Sequence, residues 1–280
     1  MSDRAKVGDV EIMAFIDATP PPFETSQFFP DVPKEKWEPY KAESLTADGK
    51  LQVNFGFFVL RSHGSIVIVD TGLGPGPFPN FGGARGALAD HLHRNGIQPQ
   101  DVNAVVITHL HGDHIGWNMS MSGGKPQATF PRAKYYIPRA DWDYYTKPDV
   151  LANNAAVKDS ILPLKELNCM ELVGGDHTVT PEITTLSTPG HTPGHTCVLI
   201  NSQGQKGIVV GDLFHTIAQV TENAWNPGFD WDKEQSQKSR VGVMERLERE
   251  GFTVAGGHLP VNRSIGKIVR LQGRRYWQVI

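Results

Sequence analysis

Three histidines and an aspartate fall within six residues in the segment Thr108-His109-Leu110-His111-Gly112-Asp113-His114. The segment directly follows the apolar run Ala104-Val105-Val106-Ile107, so a cluster of polar side chains sits where a core strand should end. Unpaired polar groups in such a place are costly, and a cation is the partner that compensates them. Imidazole nitrogen and carboxylate oxygen are common zinc ligands, and four of them at this spacing read as a metal site.

Three later segments supply further ligand types. Thr188-Pro189-Gly190-His191-Thr192-Pro193-Gly194-His195 is a tight turn whose prolines and glycines restrict both histidines. Gly211-Asp212 closes the apolar run 208–210, and Gly256-Gly257-His258 closes 253–255. In each, glycine permits close backbone approach to a residue placed just past a strand. One tetrahedral ion cannot use so many ligands, so the pattern predicts two metals per chain.

Elements must exist to hold these residues at one edge. Residues 53–60 and 66–69 read as a hairpin around the turn Ser62-His63-Gly64-Ser65, ending at Asp70-Thr71-Gly72. Residues 103–108 are apolar without alternation, as in a strand covered on both faces. Further strands are expected at 134–137, 183–187, 197–200, 207–210 and 252–255. Helices are expected at 84–95, where Leu88 and Leu92 share a face and Gly96 stops the run, and at 139–145, 157–167 and 233–250. Interleaved strands and helices over the whole length argue for a layered α/β fold built as one domain. Residues 1–50, rich in proline and aromatics, read as an ordered N-terminal arm or lid.

Bulk properties narrow the partners. The chain has 280 residues, 39% of them hydrophobic, and a formal charge of −3 with mixed signs. No basic footprint for nucleic acid or anionic membrane is evident, which leaves a small-molecule substrate as the expected partner. The N-terminus carries charges through its first nine residues without an apolar h-region, and no apolar stretch approaches the roughly 18 residues of a membrane helix. A cytoplasmic protein is expected, with a homodimer open as an assembly. Cys169 and Cys197 read as packed thiols.

The order HxHxDH, then PGH, then an isolated aspartate and a final histidine resembles the metallo-β-lactamase superfamily, over roughly residues 55–280. The resemblance implies a four-layered αββα sandwich with the site at the strand-end edge of its two sheets. By position, it implies that His109, His111 and His191 hold one metal, that Asp113, His114 and His258 hold the other, and that Asp212 bridges them. Zinc is the expected metal, with manganese, iron and cobalt as alternatives. Asp70 and His195 are then residues that orient the ligands without binding the ions. Catalysis is assigned to Asp113, Asp212 and His215, with hydroxide formed between the two cations as the nucleophile, since water bound to catalytic zinc ionises near pH 7.

Within the superfamily, Gly211-Asp212-Leu213-Phe214-His215 and the ending 273–279 look most like the branch holding methyl parathion hydrolase and related lactone and aryl-ester hydrolases. Acyl-homoserine lactonases resemble it in the metal motifs but carry tyrosine where this chain has His215. The expected reaction is hydrolysis of a carboxylic ester or lactone of a small neutral, apolar substrate. A phosphotriesterase is the alternative hydrolase, and an iron-dependent redox or metal-binding protein is the alternative outside hydrolysis. The expected substrate wall is aromatic: Phe28, Phe29, Trp117, Trp142, Tyr145, Trp225, Phe229 and Trp231.

Overall fold

Ala104, Val105 and Val106 are all fully or almost fully buried, yet they do not share a core. Val105 packs with the helical residues Leu88, Leu92, Val157 and Leu164, whereas Ala104 and Val106 pack with Ile183, Val198 and Val209. Alternation of side chains along a strand sends neighbours to opposite faces, so a run without polar interruption requires both faces to be covered. The same division recurs along the second sheet. Cys197, Leu199 and Ile208 face Val243, Met244 and Leu247 of a long helix, while Val198, Ile200 and Val209 face the first sheet.

The computed structural model describes residues 3–260 and 262–280. Its strands in chain order are β1 (Asp3–Val7), β2 (Val10–Ala18), β3 (Phe55–Ser62), β4 (Ser65–Val69), β5 (Ala104–Val106), β6 (Met119–Ser122), β7 (Lys125–Ala128), β8 (Lys134–Pro138) and β9 (Met170–Val173). They continue with β10 (Thr178–Thr180), β11 (Ile183–Ser187), β12 (Thr196–Ser202), β13 (Gln205–Val209), β14 (Thr253–Ala255), β15 (Ile265–Leu271) and β16 (Arg274–Val279). One seven-stranded sheet runs β1-β2-β3-β4-β5-β8-β9, the other β10-β11-β12-β13-β14-β15-β16, and β6 and β7 form a separate hairpin. Helices cover both outer faces, giving the αββα sandwich. The pairs β4–β5 and β13–β14 are parallel, so the carboxyl ends within each pair emerge together. Those ends carry Asp70, His109, Asp212 and His258.

Several expectations meet the structure closely. The helix Lys233–Glu250 is capped by Asp232, whose Oδ1 accepts from Gln235 N at 2.9 Å, and it ends at Gly251 in the left-handed region. The helix expected at 84–95 is shorter, Leu88–Arg94, because Ala84 pairs with Phe78 and the N–H groups of Gly86 and Ala87 bond to Gly74 and Asp17. The one expected at 157–167 is two helices, Ala155–Ser160 and Leu162–Glu166, with Pro163 in the first turn of the second. The reading of residues 1–50 as an arm needs correction. Residues 3–18 are β1 and β2, an antiparallel hairpin at the edge of the first sheet, turning at Gly8-Asp9 with Gly8 at φ +59°. Val10, Ile12 and Ala14 face the central core and Met13 and Phe15 the outer one. Phe28, Phe29, Val32, Trp37, Tyr40, Leu51 and Val53 form a separate apolar cluster with Ala218 beside the strand ends.

Candidate metal centre

The parallel strands β4 and β5 place Asp70 and Thr108 side by side. Asp70 is left-handed at φ +60°, a conformation that non-glycine residues enter at a cost and that concentrates at functional sites. It turns the carboxylate back, so that Oδ1 accepts Thr108 N at 2.7 Å and Oδ2 accepts the Thr108 hydroxyl at 2.8 Å. Asp70 Oδ2 also lies 2.8 Å from His114 Nδ1. The carboxylate of Asp70 thus touches both Thr108 and His114.

Three more histidines of the cluster are held in this way from behind. His258 Nδ1 lies 2.6 Å from the carbonyl of Asn54, His191 Nδ1 lies 2.8 Å from Asp230 Oδ1, and His109 Nδ1 lies 3.0 Å from the Thr108 hydroxyl. A partner on Nδ1 leaves Nε2 as the inward atom. The inward atoms converge on Asp212. Its Oδ2 is 3.2 Å from His191 Nε2, 2.9 Å from His258 Nε2 and 3.6 Å from His109 Nε2. His111 Nδ1 lies 3.1 Å from His109 Nε2 and 3.0 Å from His191 Nε2. His114 Nε2 and Asp212 Oδ1 are buried 3.2 Å apart without forming a hydrogen bond.

Two glycines make this convergence sterically feasible. Gly190, at φ +134°, would bring a Cβ to 2.1 Å from Ser236 N, and Gly211, at φ +53°, would bring one to 2.8 Å from His195 Nε2. That last contact lies beside the hydrogen bond which Asp212 N donates to His195 Nε2 at 2.9 Å. His195 thus holds the backbone of Asp212, and its own Nδ1 is bonded to Thr188. Among the described residues it is not one of the side chains that gather into ligand-type groups.

At this site those groups are His109, His111, His191 and Asp212; Asp113, His114 and His258; and Asp212, His215 and His258, each with ligand atoms within 4.8 Å of one another. The chemistry of the donor set fits two divalent cations, with Asp212 offering one oxygen towards His114 and the other towards His191 and His258. Electrostatics favour the same occupant. Burial, reinforced by the neighbouring imidazoles, holds the pKa of His109 and His111 well below the usual histidine range. Burial also opposes charge on His114, but Asp212, Asp113 and Asp70 outweigh it and hold its pKa well above that range. Burial opposes it on His191 too, where Asp212 and Asp230 prevail and raise the pKa to about 9. His109 and His111 are thus ready to bind a cation, whereas His114 and His191 must first give up a proton to bind one.

Above the cup lies a cavity of about 450 Å³ lined by Phe23, Gln27, Phe28, Val53, Phe55, Phe81 and Phe229 together with His111, Asp113, Asp212, His215 and His258. Of the aromatics expected there, Phe28 and Phe229 line it and six do not. Phe29 is fully buried against Trp37, and Trp225 packs at a tilt on Trp37 behind it. The Trp117 indole N–H donates to Asp17 at 3.0 Å, and Trp142 packs on the outer core beneath Lys165. Tyr145 stands edge-on to His111 at 6.2 Å but belongs to that same core. Trp231 is 52% exposed near Tyr144. In these six, core or surface packing took the side chain that an apolar wall would have used.

Three carboxylates that the sequence reading passed over complete the scaffold. Asp230 holds His191. Asp141 accepts from Leu110 N at 2.9 Å, Gly194 N at 2.6 Å and the Thr192 hydroxyl at 2.9 Å, tying the two ligand loops together. Asp17 accepts from Leu73 N, Gly74 N, Ala87 N, Leu88 N and the Trp117 indole. Burying a carboxylate without partners costs several kcal/mol, so the sets of three and five donors offset what isolation would forbid.

The model of the family described as the Metallo-beta-lactamase superfamily matches residues 48–246. Among curated proteins, the N-acyl homoserine lactonase AttM of Rhizobium radiobacter is 29% identical over 180 residues, which are 61% of this chain and 63% of that protein. An N-acyl homoserine lactonase of Bacillus cereus is 26% identical over 230 residues, covering 77% of this chain and 85% of that protein. Among solved structures, AidC, described as a dizinc quorum-quenching lactonase, superposes with a TM-score of 0.82 at 20% identity, covering 100% of this chain and 97% of AidC. With the family model spanning most of the chain and every motif of the cup in place, the chain belongs to the metallo-beta-lactamase superfamily.

Proposed function

We propose that this chain is a dinuclear metal-dependent hydrolase that opens a lactone or carboxylic ester of a small neutral, apolar substrate. The observation that carries this reading is the shared wall: the ligand cup forms the floor of a cavity whose remaining lining is mostly phenylalanine and valine. Among the described residues, that lining holds no lysine or arginine to clamp an anionic substrate. The names of the relatives, N-acyl homoserine lactonases, support ring opening at a carbonyl.

Two bound divalent cations would supply a lowered pKa for the attacking water and polarisation of the carbonyl. The chain's residues do the rest. Phe28 and Phe229, with ring centroids 4.8 Å apart and edge to face, bury the apolar part of the substrate at roughly 25 cal/mol per Å². Asp113 borders the cavity beside His114 and His258, where its carboxylate faces both the ligand-type groups and the substrate space. His215 is buried against His258, its ring stacked at 5.2 Å, with Nε2 3.1 Å from Asp212 Oδ2 but, among the described residues, no partner aligned for a hydrogen bond to either ring nitrogen. Burial holds its pKa down to about 4, so it is neutral near pH 7 and offers an N–H to the substrate's carbonyl or leaving oxygen.

A kcat/KM panel tests this: an N-acyl homoserine lactone, simple γ- and δ-lactones, aryl esters, a phosphotriester, a β-lactam and a glutathione thioester. The best lactone or ester should exceed the β-lactam and the thioester by at least about tenfold. Either of those two beating every lactone and ester by that margin overturns the substrate assignment.

A further inference from the structure

Asp230 sits one residue beyond a wall of the cavity and directly behind a ligand of the cup. Its side chain is fully buried, with Oδ1 2.8 Å from His191 Nδ1 and Oδ2 3.7 Å from the guanidinium of Arg240. The next two residues grip the same turn, since Trp231 N donates to the His191 carbonyl at 3.0 Å and Asp232 N to the Gly190 carbonyl at 2.9 Å. Three consecutive residues therefore fix His191 by side chain and backbone at once. Arg240, itself 1% exposed at its side chain, donates to the carbonyls of Leu213, Asn223 and Trp225 and to the side chains of Asn226 and Ser236. The segment that builds the wall is thus fastened to the helix that carries Arg240. Phe229, whose ring lies 5.8 Å from that of His191, is covalently the neighbour of the carboxylate that aims His191.

We propose that Asp230 is the positioning residue of the His109–His111–His191 half of the centre, and that it joins this half to the Phe229 wall of the substrate cavity. The inference rests on the dinuclear reading given above. Asp70 does the matching work for His114 in the other half, from the other sheet and without a buried arginine behind it. Asp70 also reaches His109 through the Thr108 hydroxyl and so serves both halves, whereas of the ligands Asp230 contacts His191 alone, and removing Asp230 should disturb one ion more than the other.

The test is a competition titration against a chromophoric chelator, with zinc as the metal, on the wild type, Asp230→Ala and Asp230→Asn, alongside the visible absorption of each protein loaded with cobalt. The wild type should take up two ions. Asp230→Ala should weaken one of them by about 10–100-fold, leave the other within threefold, and alter the cobalt spectrum. Asp230→Asn keeps the shape and an acceptor oxygen but not the charge, and should weaken the same ion several-fold. Circular dichroism establishes that each variant is folded. Unchanged affinities and spectrum in folded Asp230→Ala, or equal weakening of both ions, overturn the inference. If Asp230→Ala does not fold, unchanged values in Asp230→Asn overturn it. A wild type that takes up fewer than two ions overturns the dinuclear reading and this inference with it, which is a distinct result.

Discussion

The ligand cup and the aromatic wall above it enclose one cavity but are held in different ways. In the cup, Asp70, Asn54, Asp230 and Thr108 each fix a ring nitrogen from behind, and Asp141 ties the two ligand loops to each other. In the wall, Phe28 and Phe229 meet only edge to face, and Phe229 is 46% exposed. The difference follows from what each must do. Metal ligation tolerates errors of a few tenths of an ångström, whereas apolar recognition is non-directional and roughly proportional to area. Position is therefore specified in the cup, and chemical character alone in the wall.

The largest test of that contrast is Asp212→Ala. Loss of the carboxylate shared by His114, His191 and His258 should lower kcat/KM by a factor on the order of 10³ or more, with fewer than two ions per chain by elemental analysis. A variant within tenfold of wild type would show that the cup is no more exacting than the wall. A smaller effect, about tenfold per pH unit, concerns the metal. His191 has a pKa raised to about 9 and is protonated at neutral pH without an ion, so metal binding must displace that proton. The raised pKa sets the sign: apparent zinc affinity should climb from pH 6 to about 9, with tenfold per unit as the share of His191 and a steeper rise wherever His114, also held above the usual range, must release its proton too. Calorimetry in buffers of different ionisation enthalpy reads the released proton directly, and no proton release at pH 7 would contradict it. The smallest effects belong to the wall and to what lies behind it. Phe28→Ala should raise KM about tenfold with little change in kcat. Trp142→Ala should leave both within about twofold while lowering stability by about 1–3 kcal/mol, measured by urea denaturation. If Trp142→Ala instead raised KM like Phe28→Ala, the wall would extend further than the cavity does.

The same contrast explains what was legible in the amino-acid order. His109, His111, Asp113 and His114 announce themselves because metal chemistry confines ligand types to a short segment after an apolar strand. His191, Asp212 and His258 follow from glycines and strand ends. Asp17, Asp141 and Asp230 carry no such signature, since their partners are backbone N–H groups or rings far away in sequence, and an aspartate in a loop or first helical turn is ordinary. A phenylalanine or tryptophan in a candidate lid has the same appearance whether it meets substrate or packs behind another ring, which is why Phe28 and Phe229 could not be separated from Phe29, Trp117, Trp142, Tyr145, Trp225 and Trp231. The β1–β2 hairpin did have a signal, the Gly8-Asp9 pair between alternating Ala5, Val7, Val10 and Ile12, but the charges of Asp3, Arg4 and Lys6 masked it.

The hydrogen bond from His258 Nδ1 to the Asn54 carbonyl spans 204 positions, and the contact between His111 and His191 spans 80. Closing loops of that length must precede the contacts they allow, which places such pairings late in folding. During synthesis, the HxHxDH segment leaves the ribosome long before Asp212 and His258 exist to face it. The centre is consequently a product of tertiary structure, because its donors meet only where the ends of both sheets come together.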